Sequence, residues 1–243
     1  MAGHNKWSKI KNKKGVADVK KGKMFTKVGR QITVAVKEGG ENPEYNAALQ
    51  SAIEDAKAIN MPNKNIERAI KAASQNLDSA NFEHVLYEGY GPEGIAFIVE
   101  GLTDNRNRTA PEIRHAFDKH EGNLGTDGSV VFMFDRLGVI QLKGENHNQE
   151  ELMELALESN ANDVVEEDGI SEIFTSVEDF HQAKQVIKSK GYEIENSQIM
   201  YLPKMTNTVS DPDKKKLLES LIETLEDNDD VQDVYHNWEN DED

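Results

Sequence analysis

The hydrophobic period of the chain changes near residue 80. Before that point apolar residues recur every three or four positions; after it they alternate or form short runs between turn residues. Both periods in one chain call for a helical region followed by mixed structure, an α+β protein. In the first helix Phe25, Val28, Ile32 and Ala35 share a side, and Lys20, Lys23, Lys27 and Arg30 lie opposite them. Gly15 and Gly22 leave any helix before about residue 23 unsupported, and Gly39-Gly40 ends it. A second helix after Pro43 is predicted to turn Tyr45, Ala48, Leu49, Ala52, Ile53, Ala56 and Ile59 inward and to stop before Pro62. A third carries Ile66, Ala69, Ile70 and Ala73. Residues 1–80 therefore read as an arm plus a helical bundle.

Beyond it, the runs around Leu86 and Phe97 are strands separated by a glycine-rich turn, and a helix is expected over 109–120 with Pro111 in its first turn. Residues 139–203 spell β-α-β-β-α-β, with helices over 149–160 and 179–190 and a hairpin around Asp168-Gly169. The tail offers a strand near 206–209, a helix over 213–225 and a strand from Val231. Alone, that tail has nothing to cover its helix. Joined to the unit at 81–129 it completes a second β-α-β-β-α-β sandwich. Three domains follow: 1–80; 81–129 with 205–243; and 130–204 inserted between those halves. The last two are split βαβ, ferredoxin-like units. The acidic runs at 226–230 and 239–243 read as a frayed terminus.

Charge is distributed as unevenly as period. The formal net charge is −17, yet residues 1–37 hold eleven Lys or Arg against Asp18 alone, so that segment carries +10 and the other 206 residues −27. An acidic body repels polyanions. A basic block kept on it needs either a polyanionic partner or an acidic partner inside the chain. Trp7, Ile10, Met24 and Phe25, interleaved with the lysines, favour a surface that packs on something.

Several chemistries are excluded or left without support. There is no Cys, hence no disulfide scaffold, thiolate nucleophile or sulfur-bound zinc. No run approaches the length of a membrane span, and the basic start has no apolar stretch behind it, so a cytoplasmic protein without membrane contact is expected. Gly89, Gly91 and Gly94 fit the spacing of a dinucleotide loop, but Pro92 and a strand follow where that loop needs a helix, and the segment reads as a turn. Gly15 and Gly22 are too far apart for a phosphate-binding P-loop. His115 and His120 fall on different faces of one helix, so no metal or other cofactor is expected. No nucleophile has a base beside it, and an enzyme is not expected.

The segment Thr103–Thr109 places Arg106 and Arg108 among capping residues at a helix start. Guanidinium groups beside free helix N–H groups hold phosphate or carboxylate ligands. The alternative is that the same arginines pair with carboxylates of this acidic domain. Gly122-Asn123-Leu124-Gly125 with Gly128-Ser129 reads as a loop of special dihedrals.

The residues 2–40, the run NMPNKNIERAIKAA, TDNRNRT, and GNLG followed by GSV together resemble the YebC family, also called the PmpR or translational activator of cytochrome c oxidase family. The resemblance implies three domains, one helical and two α/β. It implies a regulator of transcription or translation: some members are known as cytoplasmic DNA-binding regulators, others as ribosomal translation factors that assist synthesis through proline-rich stretches. A monomer is expected. Matched residue by residue, it places a nucleic-acid surface on Gly3, His4, Lys6, Trp7, Ile10, Lys14, Lys23, Phe25, Thr26, Lys27 and Arg30, with Met61 to Ile70 as scaffold. The cations Lys9, Lys11, Lys13 and Lys20 extend that surface, and Arg106 with Arg108 form a second candidate site. The expected partner is nucleic acid, either rRNA or tRNA on the ribosome or promoter DNA. Shape and phosphate reading by a mobile arm favours structured RNA, because no second recognition helix is evident.

Overall fold

The computed structural model describes residues 18–75, 81–144, 147–167 and 169–239, the side chains from Gly22 onward. The described residues divide into two compact units, one of 18–129 with 210–234 and one of 130–209 with 235–239.

The first unit begins with three helices, α1 (Asp18–Gly39), α2 (Ala47–Ala58) and α3 (Asn63–Gln75). Val28, Ile32, Val36, Leu49, Ala52, Ala56, Met61, Ile66 and Ala73 form their common core. Asn46 joins two of them. Its Oδ1 accepts from Leu49 N at 3.0 Å and caps α2, while its Nδ2 donates to Ala35 O at 2.7 Å and Gly40 O at 2.8 Å, closing the end of α1. Gly39 has no room for a side chain here, since an added Cβ would lie 2.6 Å from Asn46 Nδ2. Gly22 does not break α1, which already runs from Asp18; a single exposed glycine costs a helix only about 1 kcal/mol, and the buried face beyond it outweighs that. Tyr45 precedes α2 and is 85% exposed, and Ala48 is exposed as well, so neither joins the expected inward face.

Strands β1 (Glu83–Tyr90) and β2 (Ala96–Thr103) form an antiparallel hairpin from Glu83↔Thr103 to Tyr90↔Ala96. The expected turn joins them, with Glu93 and Gly94 at positive φ. Helix α4 (Arg106–Lys119) starts three residues before the expected position, capped by Asn105, which accepts from Arg108 N at 3.2 Å. Pro111 therefore sits in the second turn, not the first, and Arg106 and Arg108 belong to the helix. Strand β3 (Asn123–Leu124) pairs with Gly89 and Tyr90.

Helix α7 (Pro212–Glu226) and strand β9 (Val231–His236) return to this unit near the end of the chain. The sheet order is β3-β1-β2-β9. Phe97, Ile113, Phe117, Leu218, Leu221 and Leu225 are buried in this unit, with the Phe97 and Phe117 rings edge to face at 5.8 Å. Two expectations are corrected. The strand expected at 206–209 is not in this sheet, whose fourth member is the two-residue β3. The run 226–230 is not frayed: it ends α7 and turns into β9.

The second unit contains β4 (Phe134–Leu142), α5 (Gln149–Glu158), β5 (Asp163–Glu167), β6 (Ile170–Thr175), α6 (Phe180–Ser189) and β7 (Ile194–Pro203). The sheet order β5-β6-β4-β7, antiparallel throughout, is the ferredoxin-like order that β-α-β-β-α-β implies. Ile140, Leu142, Ile173, Leu152, Leu155, Phe180, Ala183 and Ile187 form its core. Strands β8 (Asn207–Thr208) and β10 (Trp238–Glu239) pair in parallel beside it.

Candidate nucleic-acid interface

The cationic stripe of α1 meets the acidic end of α7. Lys23 and Lys27, one helical turn apart, point their ammonium groups at the last carbonyls of that helix, where the helix dipole is negative. Lys23 Nζ donates to Asp227 O at 3.1 Å and lies 3.4 Å from Asp227 Oδ1; Lys27 Nζ donates to Glu226 O at 2.6 Å. Burial pushes the Lys27 ammonium below its ordinary pKa, against the opposing pull of Asp233, Glu226, Asp229 and Asp227.

One turn further along α1, Arg30 reaches Asp230. Its Nη1 donates to Asp230 Oδ1 and to Leu102 O at 3.0 Å, and its guanidinium stands 5.1 Å above the Phe82 ring. The other carboxylate oxygen of Asp230 accepts from Arg108 Nη2 at 2.7 Å and Thr109 Oγ1 at 2.6 Å, with Thr103 Oγ1 at 3.3 Å. The backbone closes the same node. Leu102 N donates to Asp230 O at 2.8 Å, and Asp230 N to Asn228 Oδ1 at 2.8 Å. Burial pushes the Asp230 carboxyl up, yet the hydrogen bonds from Thr109, Arg108 and Arg30 outweigh it and hold the group down at about 2. Its hydrogen bonds to Asp230 and Asp104 raise Arg108 above its ordinary value.

Of the residues singled out from sequence, His4, Lys6, Trp7, Lys9, Lys11, Lys13 and Lys14, with Gly3 and Ile10, lie outside the described residues. Lys20 is on α1. Lys23, Lys27 and Arg30 are brought together, but against carboxylates and carbonyls of this chain. Phe25 packs on the helical core and Thr26 Oγ1 donates to Gly22 O at 3.2 Å. Arg106 pairs with Glu83 Oε2 at 2.7 Å, and Arg108 bridges Asp230 and Asp104, the latter at 2.9 Å. Both arginines are thus engaged with acids of their own unit. Asp230, Thr109 and Thr103 escaped the sequence reading. The signal for Asp230 was the cationic stripe itself, which required an acidic partner inside or outside the chain.

Among the described residues no group of three or more His, Asp or Glu is arranged to hold a metal, and no helix is long and apolar enough to cross a membrane. Comparison with known proteins decides the relationship. The family description "TACO1/YebC protein N-terminal domain" matches residues 5–76, and "TACO1/YebC second and third domain" matches 82–238.

The chain belongs to the TACO1/YebC family.

Relatives in that family are similar over their full length. A protein of Finegoldia magna is 55% identical across 99% of this chain and 100% of its own, and one of Acetivibrio thermocellus 52% identical across 98% and 99%; each is named "Probable transcriptional regulatory protein". A crystal structure of a conserved hypothetical protein from Aquifex aeolicus matches with a TM-score of 0.81 at 43% identity, covering 96% of both chains. The mixed α+β architecture with its N-terminal helices is thus the TACO1/YebC architecture.

Proposed function

We propose that this TACO1/YebC protein is a non-enzymatic, nucleic-acid-binding regulator of gene expression that acts in the cytoplasm on ribosomal RNA or tRNA, as a translation factor relieving stalling at proline-rich stretches. One observation carries the reading: ten net positive charges concentrated in residues 1–37 of a chain whose remainder carries −27. Such segregation suits a polyanionic partner, because only a local cationic surface overcomes repulsion by the acidic body. The contacts of α1 refine it. Lys23, Lys27 and Arg30 satisfy the acidic end of α7, so the cations left for phosphate are chiefly those of the first twenty-one residues.

The names of the relatives favour a second reading, binding to promoter DNA. Crosslinking in cells followed by sequencing of the bound nucleic acid separates the two. Recovery of ribosomal RNA or tRNA is the expected result; enrichment of promoter fragments instead establishes the DNA reading, and recovery of no nucleic acid defeats both.

A further inference from the structure

The helical bundle carries a second line of cations. Lys64, Arg68 and Lys71 lie at positions i, i+4 and i+7 of α3, within about 60° of one another on a helical wheel. The buried Ile66 and Ala73, with the half-buried Ala69 and Ile70, occupy the opposite side. Gln75 continues the line by one more turn. All four of these polar side chains are exposed.

Among the described residues, this line of three cations along one helix face has no carboxylate at ion-pair distance. Several other cations of this acidic chain do have one: Lys143 sits on Glu193, Lys190 on Glu158, Lys204 on Asp135, Lys214 on Glu121, besides the arginines already described. Among the described residues no ion pair involves Lys64, Arg68 or Lys71. Glu67, on the same helix, flanks the line without reaching it. The stripe of α1 is occupied by the chain's own acids; the stripe of α3 is not.

We propose that the exposed face of α3 formed by Lys64, Arg68 and Lys71 is a contact surface for the phosphate backbone of a nucleic acid, a surface separate from the basic first segment. This rests on the nucleic-acid reading above and adds where in the folded bundle the strand runs. From Lys64 to Lys71 the helix rises about 10 Å at ~1.5 Å per residue. At roughly 3.4 Å per nucleotide along one strand, that length spans about three phosphates. Lysine and arginine reach phosphates without reading bases, so the surface adds affinity and orientation without sequence preference. Lining up opposite the core, the three side chains are free to be exchanged without disturbing packing.

The test is fluorescence anisotropy with full-length protein, using a labelled single-stranded RNA, an RNA hairpin and duplex DNA of equal length across a salt series. The stripe variant is Lys64→Gln with Arg68→Gln and Lys71→Gln. A control, Arg114→Gln with Lys119→Gln and Lys216→Gln, removes the same charge from other exposed helix positions of this unit. The stripe variant is expected to bind at least tenfold more weakly near 0.1 M salt, with a slope of log K against log salt shallower by about 2. Its melting temperature and the affinity of the control should stay at wild-type values. Equal losses in both variants overturn the proposal in favour of a general charge effect. No loss in the stripe variant, while deletion of residues 1–15 abolishes binding, overturns it and leaves the proposed function standing. Failure of the wild type to bind any of the three probes removes the function and the surface together. The strongest of the three probes identifies whether RNA or DNA supplies the phosphates.

Discussion

Asp230 ties three elements of the first unit together. Its side chain is 4% exposed, and it is held by groups from α1, β2 and α4. Asp230→Ala leaves Arg30, only 16% exposed, without its anion. Removing one partner of a buried pair costs about 3–5 kcal/mol, so equilibrium unfolding in urea is expected to show a loss of that order. The depressed pKa gives a second expectation. The folded carboxyl titrates at about 2 against an ordinary 3.8, so the unfolded state takes up a proton first as pH falls. The contribution, up to about 2 kcal/mol, is complete above pH 4 and lost as the pH falls from 4 through 2. Urea midpoints measured between pH 5 and 2 should fall less steeply for Asp230→Asn than for the wild type; parallel curves would place the titration elsewhere. Nothing in the sequence distinguishes Asp230 from Asp227 or Asp229 beside it. Burial separates them, and burial depends on where β2 and α4 arrive from far away in the chain.

Among the elements, the contact of α1 with the end of α7 has consequences of its own. Lys27, a half-buried side chain, supplies a donor to Glu226 O. Lys27→Met keeps the stem and deletes the donor, and a loss of roughly 1 kcal/mol is expected in the same urea assay. An unchanged midpoint would mean that desolvation of the ammonium cancels its hydrogen bond. Elements with a strong period were legible in the sequence: α2 from Leu49, Ala52 and Ala56, and β4 to β7 from their alternation and turns. Those without a period were not. Asn123–Leu124 is too short to show alternation, and it was the glycines around it, read only as a loop, that marked the close approach: a Cβ on Gly122 would lie 2.7 Å from Tyr90 O. The start of α4 was missed for a different reason. Asn105 supplies the cap, and seven polar residues in a row, Thr103 to Thr109, leave the position of a first turn open. The site was legible as chemistry, a cationic stripe demanding acid, but the identity of that acid lay some two hundred residues downstream.

Taken whole, the chain keeps its charges apart until the fold brings some of them together. Deleting residues 1–15 removes five lysines and Trp7 and no buried residue of either described core. Circular dichroism and thermal melts of that variant are therefore expected to match the wild type, while affinity for RNA falls by orders of magnitude. With roughly half of the eleven basic residues of 1–37 on phosphates, the wild-type slope of log K against log salt should be about −3 to −5; a slope near zero would contradict phosphate binding. The first unit is also assembled from both ends of the chain. Arg30 and Asp230 are separated by 200 positions, and synthesis adds ~5–20 residues each second. For roughly 10–40 s the nascent protein therefore presents Arg30 with its carboxylate still unmade and β2 without its neighbour β9. The acids that cover the stripe of α1 arrive last, so each newly made molecule passes through an interval in which that stripe faces the ribosome uncovered.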